Sequence, residues 1–272
     1  MSSSTPSSRP RAGIIGFGAF GRLMARHLRR HFRLCAYDPA LPPGPCAGMD
    51  GVRLTSLAGA AGCPVVILAT PVSRMAETVR AIGPHLCPGV LVLDVGSVKV
   101  VPATIMLRGL PEHAGIVATH PLFGPQSARD GIKGLKIAVY PVRGADAPRV
   151  AAFLRRALGL QVIVTTPEAH DREAAMVQGL THLIAKVLVQ MEPLPTRMTT
   201  RSFDLLMQGV AMVRDDAPEV FQAIEGLNPY SQEVRRRFFD LAAALDAELA
   251  GGLSADRPAT PADFRAGALP AP

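Results

Sequence analysis

Short apolar runs alternate with amphipathic segments along the first 165 or so residues of the chain. Each run has three to five residues, is rich in Val, Ile and Leu, and is bounded by Gly, Pro or Asp, as strands buried on both faces are. Helical patterns of ten or more residues, such as Phe20–Arg30 and Val72–Ile82, lie between several of the runs. This alternation predicts an α/β fold with a mainly parallel, doubly wound sheet. The predicted strands are Ala12–Ile15, Leu34–Tyr37, Val65–Ala69, Val90–Leu93, Ile116–Ala118, Ile137–Tyr140 and Val162–Val164.

The pattern changes after Thr166 and Pro167. From Glu168 to about Leu249 the chain has helical periodicity and no further strand pattern. Asp215 or Asp216 with Pro218 predicts a capped helix start. The chain is therefore divided into four predicted parts: a disordered tail over 1–11, an α/β domain over 12–166, a helical domain over 167–250, and a flexible tail over 251–272.

Composition excludes several classes of protein. Hydrophobic residues make up 48% of the chain and charged residues 19%, which suits a folded core. No apolar run approaches the about 18 residues of a membrane span, and the N-terminus lacks the profile of a secretion signal. The four cysteines have no metal-ligand spacing. These features predict a cytoplasmic protein with reduced thiols, no bound metal and no membrane partner.

The net charge of +7 comes mainly from arginine, since only four of the 29 basic residues are lysines. The basic residues are spread along the chain, and the sequence has no Trp and few Tyr to act as stacking platforms. This distribution argues against a nucleic-acid partner. It suits a protein that handles anionic small molecules.

A glycine pattern, G-x-G-x-x-G, follows the first predicted strand and opens a helix. Gly16 permits a tight turn, Gly18 lets a pyrophosphate approach the backbone, and Gly21 allows close packing of helix on strand. The free N–H groups and positive dipole of the helix N-terminus favour the anion. The turn predicts a dinucleotide site with cofactor contacts from Gly16, Phe17, Gly18, Ala19, Phe20 and Gly21.

An acidic residue, Asp38, ends the second predicted strand. A carboxylate there accepts hydrogen bonds from the ribose hydroxyls and repels a 2′-phosphate, which favours NAD over NADP. The alternative is that Asp38 only caps a turn before Pro39. Thr70 and Pro71 leave another strand at the same sheet edge, where Thr70 would contact the cofactor ribose or cap the following helix.

Two further loops leave strands at the edge where open α/β sheets bind ligands. His120 is the best candidate for a general base, because an imidazole exchanges protons near neutral pH. Ser97 would hydrogen-bond the same substrate hydroxyl or the imidazole. The alternatives are a histidine satisfied by backbone and a serine that caps a helix.

These segments together resemble the prephenate/arogenate dehydrogenase family of tyrosine biosynthesis over about residues 12–245. The resemblance implies a Rossmann domain followed by an all-helical domain that builds a homodimer, with the active site in the cleft between them. The segments that carry it are Gly13–Gly21, Asp94–Lys99 (DVGSVK), Thr119–Pro125 (THPLFGP), His170–Asp171 and Gln178–His182 (QGLTH).

The family chemistry implied is the NAD-dependent oxidative decarboxylation of prephenate to 4-hydroxyphenylpyruvate. By this resemblance His120 accepts the proton of the ring hydroxyl while hydride passes to the nicotinamide, and Ser97 orients that hydroxyl or the imidazole. By the same resemblance, His182 and Gln178 would line the substrate pocket. The alternative for His182 is a core histidine on an apolar helical face.

The substrate carboxylates need cations, and arginine suits bidentate capture of a carboxylate. The arginine that many family members carry before an Asp-Pro step is absent from residues 209–218, so Arg201 becomes the candidate, with a solvated helix-start residue as its alternative. By the resemblance to the plant-type branch of the family, neutral Gln208 stands where an acidic residue marks users of arogenate, which favours prephenate as substrate. Asp204, one turn earlier, keeps arogenate open.

Two other classes of function compete. A β-hydroxyacid or imine reductase shares this layout and places a catalytic Lys or Asp on the interdomain helix. Lys186 lies there but lacks the expected glycine pair. A non-catalytic protein that kept the fold as an NAD sensor or scaffold would leave Ser97 and His120 dispensable.

Overall fold

The computed structural model describes residues 9–255 and contains one nine-stranded sheet. Its strand order is β3-β4-β2-β1-β5-β6-β7-β8-β9. The strands are β1 (Arg11–Ile15), β2 (Arg33–Tyr37), β3 (Gly44–Pro45), β4 (Val52–Leu54), β5 (Val65–Leu68), β6 (Leu91–Asp94), β7 (Gly115–Pro121), β8 (Lys136–Arg143) and β9 (Gln161–Val164).

In the order of the sheet, the six neighbouring strands β4-β2-β1-β5-β6-β7 are all parallel. This confirms the mainly parallel, Rossmann-like sheet predicted from the apolar runs. β8 runs antiparallel to β7, and β9 runs parallel to β8. No helix separates β7 from β8, and without such a crossover two neighbouring strands pair antiparallel. β3 and β4 were not predicted, because β3 is only two residues long and β4 has the polar Arg53 at its centre, so neither forms a continuous apolar run.

Helices cover both faces of the sheet. They are α1 (Ala19–Leu28), α2 (Leu57–Ala61), α3 (Met75–Ile82), α4 (Val100–Gly109) and α5 (Ala147–Arg156). Adjacent strand residues belong to opposite clusters: Ile14 and Ile67 lie in one core, Ile15 and Val66 in the other. Burial on both faces explains why these strands are continuous apolar runs.

Every element after β9 in the described part of the chain is helical. These elements are α6 (Pro167–Ala174), α7 (Leu180–Gln190), α8 (Arg201–Val213), α9 (Pro218–Gln222) and α10 (Ser231–Ala255). A π-helical turn, Ala175–Gly179, joins α6 to α7, and a second one, Ala223–Leu227, follows α9. None of the helices within residues 9–255 combines the length and the apolar character that crossing a membrane requires.

Three details differ from the sequence expectations. Pro218 opens α9 as predicted, but the N-cap is Ala217 without a side-chain bond, and Asp216 instead contacts His182. β1 begins at Arg11, inside the predicted N-terminal tail, and α10 continues to Ala255, beyond the start of the predicted C-terminal tail. The rest of those two tails, 1–8 and 256–272, lies outside the described residues.

Candidate active site

The glycine turn between β1 and α1 has the geometry of an anion cradle. Gly16 has φ +95°, and an added Cβ would come 2.6 Å from the carbonyl oxygen of Ala69, so only glycine fits there. Gly21 is equally confined, with an added Cβ 2.2 Å from the carbonyl oxygen of Gly16. Gly18 differs, because a Cβ there would meet nothing within 4 Å. The open space beside Gly18 fits a pyrophosphate at the helix N-terminus.

Gly18 is also the N-cap of α1, and no side chain caps that helix. The first-turn N–H groups, at Ala19 and Phe20 among others, are therefore available to an anionic ligand. Phe17 is 1% exposed and packs in the core below the turn, with the guanidinium carbon of Arg22 4.9 Å from its ring centroid.

Asp38 is joined to this turn. One carboxylate oxygen accepts the backbone N–H of Phe17 at 2.8 Å, and the other accepts that of Ala40 at 3.0 Å. The second bond is the turn cap considered as the alternative role, and the first brings the carboxylate to the glycine turn. Each oxygen accepts one bond and has a second lone pair for a ligand, and the half-buried side chain remains accessible.

Thr70 lies across the turn from Gly16. Its hydroxyl oxygen is buried and has no hydrogen-bond partner among the described residues. It does not cap the following helical turn, whose N-cap is Pro71 without a side-chain bond. A buried hydroxyl without a partner is costly, and a ribose hydroxyl would satisfy it. This orphaned group and the space at Gly18 fit a dinucleotide.

A buried ion pair lies under the adjacent strand ends. Asp94 is 0% exposed and Lys99 1% exposed, and the Lys99 ammonium donates to the Asp94 carboxylate. The same ammonium donates to the carbonyl oxygen of Thr119 at 2.6 Å, and Asp94 accepts the Thr119 N–H at 3.2 Å. Burial lowers the pKa of Lys99, while the charge of Asp94 opposes that decrease. The pair fixes the backbone beside His120.

His120 lies near the end of β7 and is 3% exposed. Its Nδ1 atom is 2.8 Å from Nε2 of His170, whose Nδ1 atom is 2.7 Å from Oδ1 of Asp171. Nε2 of His120 makes no hydrogen bond to any residue between 9 and 255. The two rings are 5.0 Å apart at an interplanar angle of 69°. One ring nitrogen is therefore held and the other is available.

The surroundings of His120 favour its neutral form. Burial lowers the pKa of His120 well below its ordinary value, and the neighbouring His170 and Lys99 side chains lower it further. A neutral imidazole has a lone pair that can accept a proton. The predicted base is thus in the protonation state that a base needs at neutral pH.

Ser97 is half-buried in the loop after β6. Its hydroxyl makes no hydrogen bond to His120 or to any other residue that the structure describes. The structure therefore leaves the role of Ser97 as a prediction.

His182 and Gln178 lie together at the junction of α6 and α7. The His182 ring is 5% exposed, with Nδ1 2.9 Å from the carbonyl oxygen of Gln178 and Nε2 3.2 Å from Oδ2 of Asp216. The Gln178 side-chain oxygen is buried without a partner in the described residues. Gln178 belongs to the π-helical turn, a feature frequent at functional sites.

Two close approaches connect the predicted parts of the site. The rings of Phe20, in α1, and Phe123, in the loop after β7, are 6.4 Å apart, which links the glycine turn to the His120 loop. An added Cβ at Gly124 would lie 3.6 Å from Oδ1 of Asp216, the partner of His182. The helical region thus borders the loop that follows His120.

α8 places the remaining predicted residues farther toward solvent. Arg201 and Gln208 are exposed, and Arg201 forms no ion pair within the described part of the chain. Asp204 lines a cleft of about 640 Å³ between α8 and the segment 192–199, and His120 is not part of its lining. Lys186, the residue considered for a reductase, has its ammonium 5.5 Å from the ring centroid of Phe221.

Four residues of this site had no role in the sequence prediction: Asp94, Lys99, His170 and Asp171. All four fall inside or at the ends of the quoted motifs, and charged residues that bound apolar strands were the available signal. The sequence does not show that their side chains turn inward and meet.

Comparison with known proteins finds similar proteins that share one family description. The family model for the prephenate dehydrogenase nucleotide-binding domain matches residues 47–155. The chain is 28% identical to arogenate dehydrogenase 2 of Arabidopsis thaliana over 258 residues, which are 91% of this chain and 72% of that protein. It is 25% identical to a probable arogenate/prephenate dehydrogenase of Methanocaldococcus jannaschii over 84% of this chain. The chain spans about half, 54%, of that archaeal protein.

Solved structures show the same fold. Prephenate dehydrogenase from A. aeolicus, in complex with hydroxyphenyl propionate and NAD+, has a TM-score of 0.68 at 20% identity, covering 92% of this chain and 94% of that one. Synechocystis arogenate dehydrogenase has a TM-score of 0.57 at 20% identity, with 91% and 98% covered. The matched nucleotide-binding domain and the related sequences confirm the resemblance noted in the motifs: the chain is similar to the prephenate/arogenate dehydrogenase family of NAD(P)-dependent dehydrogenases.

Proposed function

We propose that the protein catalyses the NAD-dependent oxidative decarboxylation of prephenate to 4-hydroxyphenylpyruvate, with His120 as the catalytic base. The observation that carries the proposal is the imidazole of His120 itself. It lies at the carboxyl edge of the sheet, with Nδ1 engaged by His170 and Nε2 without a partner in the described residues. A neutral imidazole held by one nitrogen is suited to take a proton on the other.

His120 would act on the ring hydroxyl of the substrate. As the O–H proton moves to Nε2 of His120, the carbon that bears the hydroxyl loses its hydride. The bond to the ring carboxylate then breaks, its electron pair enters the ring, and carbon dioxide leaves as the ring becomes aromatic. The proton returns from His120 to the phenolate oxygen, so the protein is unchanged. NAD+, when bound, supplies the hydride acceptor.

The residues proposed for the dinucleotide are the glycine turn from Gly16 to Gly21, Asp38, and Thr70 with Pro71. The Asp38 carboxylate favours NAD, because it can accept bonds from both ribose hydroxyls while repelling a 2′-phosphate. Its contact with the N–H of Phe17 supports this placement, since it sets the carboxylate beside the turn that would hold the pyrophosphate. Ser97 is proposed to orient the substrate hydroxyl.

The substrate would lie between the loop after β7 and the helical region. Gln178 and His182 would line its pocket, and the unpartnered amide oxygen of Gln178 supports a ligand there. Arg201 and Gln208 remain the proposed contacts to the carboxylate and side-chain end of the substrate.

Arogenate is the second candidate substrate. The neutral side chain of Gln208 favours prephenate, which carries a keto group where arogenate carries an ammonium. Asp204 lines the cleft beside α8, and a carboxylate there suits an ammonium group. Direct competition between the two substrates decides this point.

Residues 12–166 are proposed as the dinucleotide-binding domain and 167–250 as the substrate and dimerisation domain. The helices of the second part support a homodimer, because from Phe239 to Gly251 every residue is exposed, although many are apolar. Leu241, Leu245 and Leu249 recur every fourth position and are 56–60% exposed. Such a stripe needs a partner surface.

We also propose a cytoplasmic location. All four cysteines, Cys35, Cys46, Cys63 and Cys87, carry free thiols, as a reducing compartment maintains. 

The experiment that tests the function is a two-by-two comparison of the purified protein with prephenate or arogenate and NAD+ or NADP+. The proposal predicts that kcat/KM is highest for prephenate with NAD+, with carbon dioxide released in step with NADH. Higher kcat/KM with arogenate would select the second candidate. Turnover of neither substrate would refute the dehydrogenase proposal.

A further inference from the structure

The chemistry above leaves His170 without a task, although its ring is 6% exposed and lies between His120 and Asp171. A buried histidine with both ring nitrogens in short contacts is fixed in orientation. Its two partners then determine which nitrogen carries the proton.

Asp171 sets the direction of this chain of hydrogen bonds. Its side chain is 0% exposed, and its two oxygens accept the backbone N–H groups of Lys99 at 2.7 Å and Val100 at 2.9 Å, at the start of α4. These two bonds fix the carboxylate, and Oδ1 is placed to accept a further hydrogen bond from the His170 ring. The short contact from His170 Nδ1 is therefore a donated N–H, and Nε2 of a neutral His170 is an acceptor.

The tautomer of His120 follows from that of His170. Because Nε2 of His170 accepts, Nδ1 of His120 must donate, so Nδ1 carries the single proton of the neutral His120 ring. The lone pair is then on Nε2, the nitrogen without a protein partner. In the other tautomer two lone pairs would face each other at 2.8 Å.

We propose that His170 and Asp171 are positioning residues that hold His120 in the Nδ1–H tautomer and stabilise its imidazolium after proton transfer. This inference rests on the proposed function. The substrate O–H bond breaks as an N–H bond forms at Nε2 of His120, while the Nδ1 proton stays on His120 and its bond to His170 strengthens. When the proton returns to the phenolate oxygen, the chain of bonds returns to its starting state.

The charges around His120 are compatible with this role. The ammonium of Lys99 is a positive charge close enough to affect His120, and Asp94, at the end of β6, binds that ammonium directly. β8 places Ala138 opposite His120 in the sheet and adds no charge at that position. The carboxylate of Asp171, in α6, is thus left to offset a positive charge on His120 through His170.

Asp171 is itself anchored by a third element. The side-chain amide of Asn228 donates to the backbone carbonyl oxygen of Asp171 at 2.7 Å. Since Asp171 also caps α4, its replacement would disturb the fold. His170 has no such second task and is the better position for a test.

The test compares His170→Leu, which removes the acceptor, with His170→Gln, whose side-chain oxygen can replace Nε2 as an acceptor for His120. We expect His170→Leu to lower kcat by about 10²-fold or more with little change in KM, as loss of an orienting group does in hydrolase triads. His170→Gln should recover at least tenfold of that loss. His85→Gln, at an exposed histidine, is the matched control with unchanged kcat.

A second readout does not depend on activity. In ¹⁵N-histidine NMR spectra of the protein without substrate or cofactor, His120 should be Nδ1-protonated in the wild type and in His170→Gln, and should lose that preference in His170→Leu. Wild-type kcat in His170→Leu, or an Nε2-protonated His120 in the wild type, would overturn the proposal. If the wild type turns over neither substrate, the proposed function fails, while the NMR spectra still decide the tautomer.

Discussion

Lys99 shows how a buried charge can serve this site without touching a ligand. Its ammonium is taken out of water at a large cost, which Asp94 and the carbonyl oxygen of Thr119 offset. The result is a fixed backbone at Thr119, and therefore a fixed starting point for the His120 side chain. The Lys99–Asp94 ion pair therefore positions the base rather than exchanging protons with the substrate.

Replacing Lys99 by Met should be strongly destabilising, because it leaves the Asp94 carboxylate buried without its cation. We expect a loss of about 3–5 kcal/mol in the free energy of unfolding, measured by urea titration. Lys136→Met, at an exposed lysine, is the control and should change stability by less than about 0.5 kcal/mol. A loss below about 1 kcal/mol in Lys99→Met would show that the pair is not what holds this region.

The burial of His120 predicts the acid side of the pH profile. The base must be neutral, so kcat/KM rises as pH rises through the pKa of His120 in the free enzyme. Because burial lowers that pKa, activity should fall only well below pH 6.5, the ordinary value for histidine. If kcat/KM falls to half of its maximum already above pH 7 as the pH is lowered, the result would contradict a buried, neutral base.

At the scale of elements, the glycine turn offers two glycines whose roles separate. Gly16→Ala places a Cβ at φ +95° and 2.6 Å from a backbone oxygen, so it should cost about 1–3 kcal/mol of stability. Gly18→Ala meets no protein atom within 4 Å and should change stability by less than about 1 kcal/mol.

Gly18→Ala, the milder change for stability, should weaken the binding of NAD+. The Cβ of Gly18→Ala would enter the space kept for the pyrophosphate, so the Kd for NAD+, measured by calorimetry, should rise about 10–100-fold. Wild-type affinity in Gly18→Ala would mean that the dinucleotide does not approach α1 at this turn.

The long strands and the helical second part of the chain could be predicted from the sequence. A strand that is buried on both faces needs consecutive apolar residues, and a helix with one buried face needs apolar residues three or four positions apart. β4 could not be predicted, since Val52–Leu54 is short and has the polar Arg53 at its centre. The pattern also does not predict the π-helical turn at Ala175–Gly179, because one extra residue in a helix barely disturbs the apolar period.

The site was predictable only in part for a related reason. His120 and the glycine turn could be chosen because strand ends at one edge of a parallel sheet converge. His170 lies 50 residues from His120, and their meeting depends on how α6 packs against α4 and β7. Periodicity places a residue on a face and does not specify which distant side chain that face meets.

At the scale of the whole molecule, the exposed half of α10 predicts association. Leu241 and Leu245 are 60% and 56% exposed on one stripe of that helix. Light scattering at micromolar concentration should give the mass of a dimer for the wild type and of a monomer for the double variant Leu241→Glu/Leu245→Glu. Leu107→Glu, at a leucine of α4 that is 48% exposed, should remain dimeric. A monomeric wild type would contradict the proposed dimer.

The most direct test of the account is the rate of NADH formation from prephenate by the wild type and by His120→Asn under saturating conditions. Asparagine keeps a polar group at the end of β7 but cannot accept a proton. The account predicts NADH formation by the wild type and a fall in kcat of about 10²–10⁴-fold in the variant, with NAD+ affinity unchanged. A variant as active as the wild type would show that this imidazole is not the base.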